Sequence, residues 1–340
     1  MDVMRIGLVG CGRIAPRHAQ AAADSPLARI TCCAARHRER AEAFAAASGI
    51  PRAYRSLGEL LAEDDCDLVL LATWPADHLA QIRACCEAGV RTILCEKALA
   101  MNAAEGEEIR RIVTAARTWI MEGLMYRHHP QIRESVRLAR EGAIGEVMHI
   151  AGYFSDRIVG TPEPENWRFK PELGGGTMTA KGCYMVDAVR LFAGSRPVRA
   201  ISHRSMSADG IYDTGHTATV VFENGVTAAF ECNHRSIWRE EIRVYGTTGV
   251  LTVPHAIVTA AGARRIVISR GGRFEAEEPA EEVRELGVHD SYRLQLENAH
   301  ACLFGGGSPV VPLDDSIANL RLTTALLRSA ESGCFEPVDP

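Results

Sequence analysis

The chain has 340 residues, enough for two domains, and its 46% hydrophobic and 24% charged composition is ordinary for a globular enzyme. A net charge of −5 leaves no basic stripe for nucleic acid, no segment is apolar for long enough to span a bilayer, and the N-terminus reads as a strand and a turn instead of a secretory signal. We therefore expect a cytoplasmic protein with no nucleic-acid or membrane partner. Eleven cysteines include two adjacent pairs, 32 with 33 and 85 with 86, but no Cys-x-x-Cys or Cys-plus-His ligand spacing. They read as reduced core thiols with no metal, Cys11 and Cys95 alone falling in the candidate site.

In chain order, an apolar strand over 6–9 breaks into Gly10-x-Gly12-x-x-Ala15 where a helix can begin. Gly10 allows the tight turn, Gly12 lets the backbone approach a pyrophosphate, and Ala15 lets the helix pack on the strand. Arg13 and Ile14, between them, belong to the same candidate cofactor site. Strands then alternate with helices: strand 28–33, helix 38–48 stopped by Gly49, and a short helix opened by the capping box Ser56/Glu59. There follow strand 68–72, helix 76–88, strand 92–95, a helix begun by Asn102 with Glu105, and strand 118–121. This alternation predicts a doubly wound parallel sheet covered on both faces, with ligands beyond the strand C-termini. The second strand runs into Arg36 and Arg38 with no acid before Glu39, which favours NADP over NAD. The fourth ends in Thr73, Trp74 and Pro75 followed by His78, and the fifth in Glu96 and Lys97. Lys97 suits a proton donor or relay, the alternative being a surface ion pair with Glu96.

These motifs, together with Asn102-Ala103-Ala104-Glu105, resemble the Gfo/Idh/MocA oxidoreductases, which use a nicotinamide cofactor on sugars, cyclitols and related polyols. The resemblance covers nearly the whole chain. It implies a Rossmann domain over 1–123 holding NADP, or else NAD, through Gly10, Gly12, Arg13, Ile14, Arg36, Arg38, Thr73, Trp74, His78, Glu96 and Lys97. It further implies an α+β domain over 124–340 for substrate binding and oligomerisation. The family motif is Glu-Lys-Pro, and Ala98 in place of the proline is expected to loosen the turn after Lys97. In the second half, 125–130 resembles the family's entry into its substrate domain, with Arg127 and His128 on the substrate side. The resemblance further implies that Trp167, Arg168 and the run Gly174-Gly175-Gly176 frame the substrate pocket. The family's Asp-x-Gly-x-His/Tyr pattern places Tyr184 as catalytic beside Lys97, but Ala180 stands where the acid belongs. Lys181 next to it can substitute for the acid, bind an anionic substrate or be solvated.

The remainder reads as strands at 226–232, 243–245, 250–253 and 265–269, forming an open, largely antiparallel sheet, then helices over 291–303 and 314–332. The stretch 271–285 reads as loose and acidic. The family builds oligomers through such a sheet, which implies a homodimer or homotetramer. The function implied is hydride transfer between nicotinamide and a sugar, cyclitol or related polyol or carbonyl compound. The alternatives are a glycosidase or epimerase that recycles NAD(P) within one turnover, and a non-catalytic dinucleotide sensor.

Overall fold

In the computed structural model of the protein, residues 2–159, 166–258, 264–271 and 279–339 are described. The chain divides into two compact units, Met1–His128 with Asp290–Ile317, and His129–His289 with Ala318–Pro340. A single cut at 123/124 would assign 290–317 differently. Among the described residues no helix is long and apolar enough to cross a membrane.

The first unit is built on six parallel strands, β1 (Met4–Val9), β2 (Ala28–Ala34), β3 (Arg52–Tyr54), β4 (Leu68–Leu71), β5 (Thr92–Cys95) and β6 (Trp119–Glu122). Their order is β3-β2-β1-β4-β5-β6. Between them run α1 (Ala15–Ala23), α2 (Arg38–Ser48), α3 (Leu57–Glu63), α4 (Pro75–Glu87) and α5 (Ala103–Ala116). Every residue of β4 and β5 is buried, which is why these strands read as unbroken apolar runs. The helix ends follow their capping residues. Ser56 Oγ accepts from the Glu59 N–H at 3.1 Å, Asn102 Oδ1 accepts from the Glu105 N–H at 3.0 Å, and Gly49 closes α2 at φ +67°. Strand order reverses at β1, between β2 and β4, so the crevice beyond its C-terminus is the natural ligand position.

The second unit contains α6 (Pro130–Arg140), β7 (Val147–Ser155), a π-helical turn over Met178–Gly182 and α7 (Cys183–Ala193). Then come β8 (Pro197–Met206), β9 (Asp213–Phe222), β10 (Thr227–Asn233), β11 (Arg239–Gly246), β12 (Gly249–Pro254), β13 (Arg265–Arg270) and β14 (Ala280–Glu285). After α8 (Ser291–Phe304) and α9 (Leu313–Ser332), the short β15 (Glu336–Pro337) completes a nine-stranded sheet of order β14-β13-β12-β11-β7-β10-β9-β8-β15. Among the described residues of this sheet only the β7–β10 pairing is parallel. Ala228, Phe230 and Cys232 alternate inward along β10 after a turn at Gly225 (φ +84°). Of the stretch expected to be loose and acidic, 272–278 lie outside the described residues, while 280–285 are β14. Its AEEVRE sequence is an edge strand with one exposed and one half-buried face, and Glu282 is held by Arg270 and Arg284 at 2.8 and 2.6 Å. Helix α8 belongs to the first unit, where the Tyr292 ring meets His18 of α1 edge-on at 5.2 Å and His300 bonds the Asp2 carbonyl at 2.8 Å.

Candidate active site

At the end of β1 the chain turns through Gly10 at φ +100°, and a β-carbon there would stand 2.5 Å from the Ala72 carbonyl oxygen. Only glycine fits. A β-carbon on Gly12 would meet nothing within 4 Å, so that glycine leaves open space over the start of α1. The first turn of α1 carries Pro16, no side-chain cap and no acid, which leaves its positive dipole end available to an anion. A cavity of about 370 Å³ opens at this point, lined by both glycines, by Thr73 and Trp74 beyond β4, and by Arg36, Arg40 and Arg55. The Arg36 guanidinium lies 5.3 Å from the Trp74 ring and 3.6 Å from Asp77 Oδ2, with its side chain 68% exposed. A phosphate cradle beside three guanidinium groups fits a dinucleotide carrying an additional phosphate on its ribose.

Two of those arginines escaped the sequence reading. Arg55 follows the three-residue β3, pairs with Glu59 of α3 and neighbours the N-cap Ser56, which also lines the cavity. Arg38, which sequence reasoning placed in the site, lies outside it. Its Nε bonds Glu42 at 2.8 Å along the exposed face of α2. Arg13 and Ile14 also stand outside the lining, Ile14 serving as the N-cap of α1. Cys11 lines the cavity, but hydrogen bonding to Cys33 and burial push its thiol up, and burial pushes Cys95 well up, so neither is an activated nucleophile.

Beyond β5, Glu96 and His78 turn inward and support the segment carrying Lys97. Glu96 is buried, with Oε1 2.7 Å from His18 Nε2 and Oε2 accepting the Lys97 N–H at 3.2 Å. His78 is fully buried, and its Nδ1 lies 3.0 Å from the Ala98 carbonyl and 3.3 Å from that of Leu99. Two carbonyl partners require a proton on Nδ1, and burial pushes the imidazole pKa down, keeping it neutral. Glu122 Oε1 accepts the Leu99 N–H at 2.9 Å. The Lys97–Ala98 peptide is cis, and Ala98, Leu99 and Ala100 are buried. The turn expected to be loosened by Ala98 is thus tied from both sides. His78, Glu96 and Lys97 all stand outside the lining of this cavity; His78 and Glu96 hold the turn that carries Lys97.

Arg127 and His128 end a 3-10 turn, Met125–His128, in the first unit, both buried, with Arg127 Nη1 2.7 Å from Asp315 Oδ2. In the second unit, Trp167 and Arg168 share the 3-10 turn Trp167–Phe169, the guanidinium 5.2 Å from the indole. The glycine run is closely packed, a β-carbon on Gly175 standing 2.5 Å from the Trp167 carbonyl oxygen. A β-carbon on Gly176 (φ +104°) would stand 2.2 Å from Asp213 Oδ1, and the Asp213 carboxylate accepts the N–H groups of Thr177 and Met178 at the start of the π-helical turn. Tyr184, buried in the first turn of α7, meets the Phe154 ring edge-on at 5.8 Å.

Lys181 is not solvated. It is 4% exposed, its Nζ lies 2.8 Å from Asp156 Oδ2 and 4.0 Å from the Phe154 ring centroid, and His234 Nδ1 lies 3.3 Å from Asp156 Oδ1. Burial alone would raise the Asp156 carboxyl, but the hydrogen bond from His234 and the Lys181 ammonium bring it down to about 2. An acid missing at Ala180 is therefore present nearby on a different element, just beyond β7. Glu240, on β11, is also buried. Its Oε2 accepts the Val258 N–H at 2.8 Å, Oε1 has no hydrogen-bond partner among the described residues, and burial pushes its pKa up to about 7.

D-xylose 1-dehydrogenase (NADP(+)) 2 of Haloferax volcanii is 29% identical over 338 residues, covering 99% of this chain and all of that protein. The dTDP-3,4-didehydro-2,6-dideoxy-alpha-D-glucose 3-reductase of Actinomadura kijaniata is 27% identical over 336 residues, 98% of this chain and 97% of that one. A 3-ketoreductase from the same organism, solved with NADP and TDP-benzene, superposes with a TM-score of 0.87 at 25% identity over 96% of this chain and 98% of its own. The fold is shared with an aldose-aldose oxidoreductase from Caulobacter crescentus, TM-score 0.88 at 23% identity over 98% and 99%. Residues 4–123 match the model of an oxidoreductase family with an NAD-binding Rossmann fold, and 132–252 match the GFO/IDH/MocA C-terminal domain. With both halves matched in sequence to one family, the chain belongs to the Gfo/Idh/MocA oxidoreductases and is a nicotinamide-dependent enzyme.

Proposed function

We propose that the enzyme prefers NADP and acts on a sugar, cyclitol or related polyol or carbonyl compound. One observation carries the cofactor assignment: Arg36, Arg40 and Arg55 line the cavity beyond β2, with Asp77 the only acid among the described residues that line it. Gly10, Gly12 and the start of α1 would hold the pyrophosphate, and Arg36 with its two neighbours the ribose phosphate. Thr73 and Trp74 would flank the cofactor further along. The bound nicotinamide supplies the hydride acceptor or donor. Lys97 and Tyr184 would pass a proton to the substrate oxygen in reduction and take it in oxidation. Arg127, His128, Trp167, Arg168 and Lys181 would orient the substrate. Because Asp156 balances the charge of Lys181, the reading favours a neutral, hydroxylated substrate over an anionic one. The sugar dehydrogenase and sugar ketoreductase relatives support the same substrate class. We place the enzyme in the cytoplasm, where unpaired thiols persist, and assemble it as a homodimer or homotetramer through the nine-stranded sheet.

The test uses Trp74 as an intrinsic probe. Tryptophan fluorescence should report tighter binding of NADPH than of NADH, and a screen of aldoses, ketoses and cyclitols with NADP or NADPH should then reveal an absorbance change. Tighter NADH binding would overturn the arginine assignment. Tight NADPH binding with no turnover on any polyol would redirect the reading to internal cofactor recycling or to sensing.

A further inference from the structure

A second group of reactive side chains lies in the first unit, outside the dinucleotide cavity. Cys32 of β2 and Cys66, just before β4, flank β1 at Gly7, with their sulfur atoms 3.5 Å apart. A β-carbon on Gly7 would stand 2.9 Å from Cys66 Sγ and 3.4 Å from Cys32 Sγ, so the glycine is what allows the two thiols to touch. Their settings differ. Cys32 is completely buried, whereas Cys66 lines a cavity of about 630 Å³ together with Arg5, Asp67 and Arg91.

The Asp64 carboxylate lies within 4.8 Å of both sulfurs, which completes the donor set for a thiophilic cation. Its oxygens are already taken by Arg52 and by the Tyr54 hydroxyl at 2.8 Å. Positive charge on Arg52 and Arg5 opposes a dication, and at the Cys66 sulfur the Asp64 carboxylate, which raises the thiol, is countered in part by Arg5, which lowers it. We propose that Cys66 and Cys32 are a redox-modification site: the Cys66 thiolate attacks a peroxide, breaking the O–O bond and becoming a sulfenic acid, and the Cys32 thiol then displaces water to form a disulfide. The first step transfers two electrons from sulfur to the peroxide oxygens and releases hydroxide. The second consumes the Cys32 proton. The asymmetry suits these roles. Cys66 stands at the cavity and Cys32 is enclosed, which puts the attacking sulfur on the wet side and the resolving one on the dry side, and a hydrogen bond donated by the Cys32 thiol would hold the Cys66 sulfur down.

The experiment treats the reduced, full-length protein with hydrogen peroxide, alkylates the remaining thiols and maps the peptides by mass spectrometry. A Cys32–Cys66 linked peptide pair should form before any other cysteine is modified. In Cys32→Ser, dimedone should label Cys66, and in Cys66→Ser the link and the label should both be lost. NADPH titration of each variant reports whether it is folded, and Cys32→Ala carries the same test if the serine is not tolerated in the core. Free thiols at both positions after peroxide, or dimedone labelling first at another cysteine, would overturn the proposal. Stoichiometric zinc bound by the untreated protein and lost in Cys66→Ser would overturn it in favour of a metal site.

Discussion

The two units solve different electrostatic problems. The first prepares to receive a large anion, using backbone at Gly10 and Gly12, the start of α1 and exposed arginines. The second holds its charges internally. Lys181, Asp156 and His234 interact with one another, and burial raises the Glu240 carboxyl to about 7 although its Oε2 accepts the Val258 N–H. Exposed cations tolerate substitution at little cost to folding, whereas buried charges link stability to pH and to each other.

Substitutions can sharpen that contrast. Removing the amine that we propose carries the proton should have the largest effect: Lys97→Met is expected to lower kcat by roughly 10²–10⁴-fold, while NADPH affinity in the fluorescence titration stays within about threefold. A kcat close to that of the parent would remove Lys97 from the chemistry. Glu240 gives a stability effect of defined sign. Its folded pKa of about 7 lies above the ordinary 4.5, so the stabilisation of its neutral form is complete below about pH 4.5 and is lost as pH rises through 7. Glu240→Gln should thus be more stable than the parent by about 2–3 kcal/mol at pH 8 and nearly equal at pH 4, as read from urea midpoints.

Next in size is the ion pair of the second unit. Lys181→Met leaves Asp156 without its cation, and because the Asp156 side chain is 34% exposed the cost should be about 1–3 kcal/mol, less than for a fully buried pair. The Asp156 contribution has the opposite sign in pH to that of Glu240. It is present above about pH 4 and lost as pH falls through about 2, so the parent should lose its advantage over Lys181→Met in acid melts. Equal melting temperatures at neutral pH would mean that water already screens the pair. The smallest effect belongs to the exposed arginines. Arg36→Ala should reduce the preference for NADPH over NADH by roughly tenfold, and Arg38→Ala should leave it unchanged. Equal losses would put Arg38 back in the site.

The first unit was legible in the sequence where local rules dominate. Glycines with forced geometry, the capped helices at Ser56 and Asn102 and the apolar β4 and β5 each announce themselves within a few residues. What stayed hidden depended on direction or on distance along the chain. A residue at a strand end faces either the ligand or the support beneath it, and sequence does not say which; His78 and Glu96 took the second course. Arg55 was missed because β3 has too few residues to show a period. The Asp156–Lys181 pair joins β7 to a π-helical turn, a conformation with no sequence period to read. The edge strand β14 went unread because its protection against mispairing is a row of charges, the usual signature of a loop.

The placement of α8 constrains how such an enzyme can be taken apart. The chain enters the first unit, leaves it after His128 and re-enters at Asp290, so the dinucleotide-binding half is discontinuous in the gene. A fragment ending near residue 123 would strip Tyr292 from His18 and expose the apolar side of α1 to water. Recombination that exchanges cofactor preference between relatives must therefore carry two stretches of coding sequence together, and a crossover that moves only the first would yield a protein prone to aggregate.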